Sequence, residues 1–84
     1  MADSVLIYLP MAEWVFIADG PLTDCLTTPN RQCFYLYAAT KPTAEFGHMA
    51  QEFENFNAVP DTGQSIWMMS PHGDAEVWVT ERAP

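Results

Sequence analysis

The stretch 43–56, TAEFGHMAQEFENF, holds the side chains best suited to bind a metal or transfer a proton. Glu45, His48 and Glu52 are spaced three and four residues apart, which would place them on one side of a helix. Metal sites built on a helical Glu-x-x-His pair take further carboxylates from neighbouring helices. The sequence predicts no second helix to supply them. We therefore interpret these residues as the solvated side of an ordinary helix, not as a metal site.

The helix itself is predicted from the apolar residues of the same stretch. At about 100° per residue they fall within a stripe about 120° wide, the usual width of a core-facing side. Its members are Phe46, Met49, Ala50, Phe53 and Phe56. Thr43 can cap the first turn, and Glu45 would face the positive end of the helix dipole. Gly47 disfavours the helix by about 1 kcal/mol relative to alanine.

Two further groups of residues invite a catalytic interpretation. His72 and Asp74 lie in SPHGDA, where a carboxylate could hold a histidine as a general base. No Ser or Cys is placed by the sequence as its nucleophile. The triplet Asp61-Thr62-Gly63 resembles that of aspartic proteases, but Pro60 directly precedes it and the residues before are weak as a strand. We interpret both groups as turns.

The composition limits the possible partners. The chain of 84 residues has eleven acidic and three basic residues, for a formal net charge of −8, and we expect one small acidic domain, 1–84. Direct binding to nucleic acid or to an anionic membrane is disfavoured, because both need clustered Lys and Arg. A basic protein would be attracted. No glycine-rich phosphate loop or dinucleotide motif is present, so we expect no cofactor.

The N-terminal residues and the two cysteines bear on location. The first twenty residues hold no basic residue and lack the pattern of a signal peptide, and no apolar run approaches the roughly 18 residues of a membrane span. A cytoplasmic location is expected. Cys25 and Cys33 are too few for a disulfide framework or a complete zinc site. We interpret both as structural, whether or not they are bonded to each other.

Runs of β-branched and aromatic residues between turn signals predict about five strands. They cover 4–9, 13–18, 32–39, 64–70 and 75–81. A helix over 10–19 is an alternative, because Pro10 could begin it and Gly20 end it. Residues 19–31 are predicted as a long loop, and Ser70–Gly73 as the turn of a hairpin. The predicted fold is α+β, in the order β-β-β-α-β-β, with one helix packed on one face of a mainly antiparallel sheet.

The strands alternate, and one of the resulting faces is aromatic. An aliphatic set suits a core beneath the helix, and the opposite face carries the candidate partner-binding residues. These are Tyr35, Tyr37, Trp67, Met69 and Trp78. One helix, about 10–12 Å wide, cannot cover both faces of a five-stranded sheet, and Tyr, Trp and Met are enriched at protein interfaces. Alternatively, strand twist, the 19–31 loop and the N-terminal strands bury these side chains in one core.

These observations favour a non-enzymatic protein-binding or regulatory module. It would form a homodimer through the aromatic face, or dock on a basic protein. A specific version is an acidic inhibitor of a basic, nucleic-acid-handling partner. A second hypothesis is a small-molecule-binding protein with an aromatic cleft. A third is a small enzyme that uses His48 or His72; it ranks last, because no set of nucleophile, base and orienting group is evident.

Overall fold

A computed structural model describes residues 4–21 and 24–82, and over these residues the fold consists of eight strands. They are β1 Ser4–Leu9, β2 Val15–Asp19, β3 Asp24–Pro29, β4 Cys33–Ala38, β5 His48–Ala50, β6 Phe56–Asn57, β7 Ser65–Met69 and β8 Ala75–Arg82. Sheet I has the order β1-β8-β3-β6 and sheet II the order β2-β7-β4-β5. All pairs within the two sheets are antiparallel. The described residues contain no helix, so the predicted α+β fold is wrong and the architecture is all-β.

The core lies between the two sheets, because each sheet turns its alternate side chains toward the other. Val77 and Val79 of β8 enter it from sheet I, and Ile66 and Met68 of β7 enter it from sheet II. All four are buried. The partly buried residues packed against this cluster are Ile7, Val15, Tyr35, Tyr37 and Phe56. The chain therefore buries apolar surface by layering two sheets, without a helix.

The chain crosses between the sheets at the turn that follows β7. Strands β7 and β8 belong to different sheets, so the hairpin predicted around Ser70–Gly73 is wrong. Pro71 and Gly73 favour a local change of direction, but they do not determine whether the next strand pairs with the previous one. Here the hydroxyl of Ser70 donates to the Gly73 carbonyl, and β8 continues between β1 and β3.

The predicted loop over 19–31 contains a strand. β3 pairs along its whole length with β8, from Asp24 opposite Arg82 to Pro29 opposite Val77. Thr27 is buried, and its hydroxyl donates a 3.0 Å hydrogen bond to the Cys25 carbonyl, which satisfies a polar group inside the core. The turn-forming composition of the segment is overridden by this pairing with β8.

The predicted helix over 43–56 is absent, and this segment instead extends both sheets. β5 pairs with β4 of sheet II, and β6 pairs with β3 of sheet I, so the segment supplies backbone partners to two strands that would otherwise be edges. A helix this short is marginal on its own. Its predicted apolar stripe is divided: Ala50 is buried, Phe56 packs against the core, and Phe53 is exposed.

Of the two alternatives for 10–19, the structure has a strand. β2 is the edge of sheet II, and its register with β7 shifts between Phe16 and Ala18, which is a β-bulge. Just before it, Ala12 adopts a φ of 60° and its amide donates a 2.7 Å hydrogen bond to the Ser70 carbonyl. That bond fixes the crossing from sheet I to sheet II.

Candidate functional site

The five predicted partner-binding residues lie on three different faces of the two sheets. Tyr35 and Tyr37 of β4 are opposite Met68 and Ile66 of β7, and residues opposite each other on antiparallel strands point to the same side. Met68 and Ile66 are in the core, so the two tyrosines also point inward. The Tyr35 ring stacks on Phe56 with centroids 4.7 Å apart.

Trp67 and Met69 point to the other side of sheet II. Trp67 is half-buried, its indole Nε1 donates a 3.2 Å hydrogen bond to the Ala38 carbonyl, and its ring contacts Phe16 edge-on at 5.8 Å. Met69 is buried. Both side chains are therefore held by intramolecular contacts, and only Trp78, which lies in sheet I, is largely exposed.

Trp78 is the centre of an exposed apolar surface on the outer face of sheet I. It is 53% exposed and lies between Leu6 of β1 and Thr28 of β3. Three further apolar side chains share this face, and we call the set the Trp78 face. It consists of Leu6, Tyr8, Leu26 and Trp78, each more than two-fifths exposed. No described residue covers it. Its position follows from the alternation of SVLIYL, but the sequence did not indicate that β1 and β3 flank β8.

An acidic cleft adjoins one end of the Trp78 face. It has a volume of about 190 Å³ and is lined by Tyr8, Asn30, Asp74, Ala75 and Glu76. The Tyr8 hydroxyl donates a 2.6 Å hydrogen bond to Asp74 Oδ2. The other carboxylate oxygen, Oδ1, accepts a 3.0 Å bond from the amide of Met11. Asp74 is thus held in place.

The electrostatics of this cleft follow from those bonds. The pKa of Asp74 lies below its ordinary value, mainly because its carboxylate accepts the hydrogen bond from Tyr8. The amide of Met11 and the nearby guanidinium of Arg31 lower this pKa further. The same hydrogen bond raises the pKa of Tyr8, because it favours the neutral phenol. At neutral pH the cleft therefore holds an ionised Asp74 beside a neutral aromatic ring, with the exposed Glu76 next to them. A lysine or arginine side chain matches such an environment.

A larger cavity, of about 550 Å³, lies beside sheet II where the chain passes from Lys41 to Glu45. Trp14 and Met69 are buried in its wall, and Glu13, Lys41 and Glu45 contribute the charged groups. The indole Nε1 of Trp14 donates a 2.8 Å hydrogen bond to the Ala44 carbonyl. Neither Trp14 nor the segment 41–45 was predicted from the sequence to line a cavity.

The residues considered for catalysis are not assembled into one site. His48 is exposed on β5 and faces the Tyr35 ring at 5.3 Å, and His72 is exposed in the turn after β7. Without a helix, the spacing of Glu45, His48 and Glu52 no longer places them on one side. In the part of the chain that the structure describes, no three His, Cys, Asp or Glu side chains form a potential metal site.

The two cysteines are buried thiols on β3 and β4. Burial raises the pKa of Cys33 to about 11, and Ser70 and the Arg31 guanidinium oppose part of that shift. Its Sγ lies 3.1 Å from the Arg31 carbonyl, to which it donates. A thiol with so high a pKa is a poor nucleophile at neutral pH, so Cys33 is a packing residue.

No family model matches the chain, and no curated protein or solved structure matches it. Residues 4–21 and 24–82 include no helix that is long and apolar enough to span a membrane.

Proposed function

We propose that this protein is a non-enzymatic protein-binding module that docks a basic segment of another protein on the Trp78 face. The observation that carries the proposal is the half-exposed Trp78 beside the cleft that contains Asp74 and Glu76. An aromatic anchor next to a pair of carboxylates suits a segment with one apolar side chain and at least one lysine or arginine.

The charge of the whole chain supports the same kind of partner. A net charge of −8 repels acidic surfaces and accelerates encounter with basic ones, most strongly at low salt. In its more specific form the proposal is that the protein acts in the cytoplasm and inhibits a basic, nucleic-acid-handling partner. Competition between this protein and a nucleic acid for that partner would distinguish the specific form from docking alone.

The proposal is tested by NMR titration with two synthetic peptides of equal length, one alternating Lys and Leu and the other alternating Glu and Leu. The lysine peptide should shift the indole signal of Trp78 and the amides of Tyr8 and Glu76, and the glutamate peptide should not. Trp78→Ala should weaken binding at least about tenfold, as loss of an interface anchor does. Glu76→Gln should weaken it mainly at low salt.

Phe46→Ala is the matched control, because Phe46 is also an exposed aromatic residue, at 71%, and its ring contacts Phe34 of sheet II. It should leave the affinity unchanged. Equal losses for Trp78→Ala and Phe46→Ala, or equal shifts by the two peptides, would refute docking on the Trp78 face.

The cavity beside sheet II favours a second candidate function, the binding of a small molecule. Its volume of about 550 Å³ lies in the range of ligand sites, and it combines apolar walls with a few charged groups. A fragment screen followed by fluorescence of the Trp67→Phe, Trp78→Phe double variant would report on Trp14 alone. Quenching that depends on Lys41 or Glu45 would support this function, and a lack of any quenching ligand would count against it.

A further inference from the structure

Over residues 4–21 and 24–82 the two sheets have four edge strands, and three of them are poor templates for another chain. β5 and β6 are three and two residues long. β2 contains a bulge and ends at Asp19. Short strands, bulges and charges are the features by which proteins block edge-to-edge pairing.

β1 has none of these protections. It is six residues long, SVLIYL, without charge, proline or glycine, and its register with β8 is regular over its whole length. Among the described residues, β8 is its only strand partner. Alternate amide and carbonyl groups of such an edge point away from the sheet. Val5, near the beginning of β1, is 54% exposed although its side chain points to the core side of the sheet.

Charge determines which occupant fits this edge. Two copies with a net charge of −8 each repel one another over most of their surface. Along the uncharged β1, two copies can approach without opposing like charges. The free backbone groups of β1 can then form antiparallel hydrogen bonds with β1 of the second copy.

We infer that a second copy of this chain pairs antiparallel along β1, so that two sheets I join into one continuous eight-stranded sheet. Opposed residues on antiparallel strands point to the same side, so the two-fold axis is normal to the sheet and both outer faces lie on the same side. Leu6 and Tyr8 lie at the seam, and the Trp78 faces of the two copies become neighbours. This dimer differs from the one predicted through the aromatic face of Tyr35, Tyr37, Trp67, Met69 and Trp78, and it does not rest on the proposed function.

The test is sedimentation of the full chain from micromolar to submillimolar concentration, with Val5→Glu and Val59→Glu as matched variants. Val59 is equally exposed, at 51%, but lies between β6 and β7, outside any strand. Val5→Glu should raise the dimer dissociation constant at least about tenfold, because the carboxylate would lose water against the second copy. Val59→Glu should leave it unchanged.

Hydrogen exchange of the wild-type chain provides a measurement that needs no variant. Amides of β1 should become slower to exchange as concentration rises, while those of β2 should not. A wild-type chain that stays monomeric up to submillimolar concentration, or one whose dimer responds equally to both variants, would overturn the inference. Because Val5 does not belong to the Trp78 face, loss of the dimer and loss of peptide binding are separable results.

Discussion

The Tyr8 hydroxyl and the Asp74 carboxylate are joined by a 2.6 Å hydrogen bond, which ties the end of β1 to the turn that precedes β8. The same carboxylate accepts a hydrogen bond from the amide of Met11. Met11 lies where the chain passes from sheet I to sheet II. One ionised side chain thus holds the edge strand, the crossing and the acidic cleft in a fixed relationship. This makes Asp74 a structural residue as well as a candidate contact for a basic partner.

Asp74 should make the stability of the protein depend on pH. Its pKa in the folded state lies below its ordinary value of 3.8, so its stabilising effect is present above that value and is lost as the pH falls through the folded pKa. Asp74→Asn should lower the urea midpoint at neutral pH, and the difference from wild type should shrink in acid. A difference that stays constant over the acidic range would contradict this.

Trp14→Phe should destabilise the protein by about 1 kcal/mol, the usual net value of a lost hydrogen bond. The change removes the Nε1 group that holds Ala44 and with it the attachment of the segment that walls the larger cavity. Urea unfolding measures the loss. Trp78→Phe is the control, because Trp78 is half-exposed, and it should stay within about 0.5 kcal/mol of wild type.

Gly47→Ala distinguishes the observed non-helical segment just before β5 from the predicted helix by the sign of its effect. In a helix, alanine would stabilise by about 1 kcal/mol. Here the new Cβ would lie 2.7 Å from the Tyr35 carbonyl oxygen and 3.0 Å from Cη2 of Trp14, so we expect a loss of about 1–3 kcal/mol. Urea unfolding of the variant checks this, and a stabilised variant would contradict the observed packing.

Cys33 should resist alkylation in the folded protein. With a pKa of about 11, only roughly one thiol in a thousand is ionised at about pH 8, and the side chain is buried. Mass spectrometry after iodoacetamide treatment should show a slow reaction in buffer and a fast one in urea. Rapid modification of Cys33 under native conditions would contradict the buried position.

The sequence predicts the strands that are rich in β-branched and aromatic residues, because their pattern is local. The predicted strand over 4–9 matches β1, and those over 32–39 and 64–70 contain β4 and β7. The predicted helix over 43–56 was wrong because its apolar residues are divided between the sheets and solvent. Met49 and Ala50 lie in β5, Phe56 lies in β6, and Phe46 and Phe53 are exposed. Nothing within that stretch reveals that β4 and β3 both need an edge partner.

The candidate site shows the same limit. Trp78 was predicted as a partner-binding residue, and the structure leaves it half-exposed. Its companions Leu6 and Tyr8 belong to β1 and precede Trp78 by 72 and 70 residues along the chain. No local pattern indicates that β1 pairs with β8. The acidic cleft depends on it too, since Tyr8 and Glu76 lie opposite each other across the β1–β8 pair.

Of the six strand pairs in the two sheets, only β4–β5 joins strands that are consecutive along the chain. All others require distant segments to meet before any backbone bond between them forms, which costs loop entropy at the start of folding. We therefore expect slow folding, in milliseconds to seconds, as for other sheets built from non-local pairs. During synthesis β1 emerges long before β8, and among the described strands only β8 pairs with it. Until β8 follows, the uncharged residues of β1 have no strand partner within the described part of the chain.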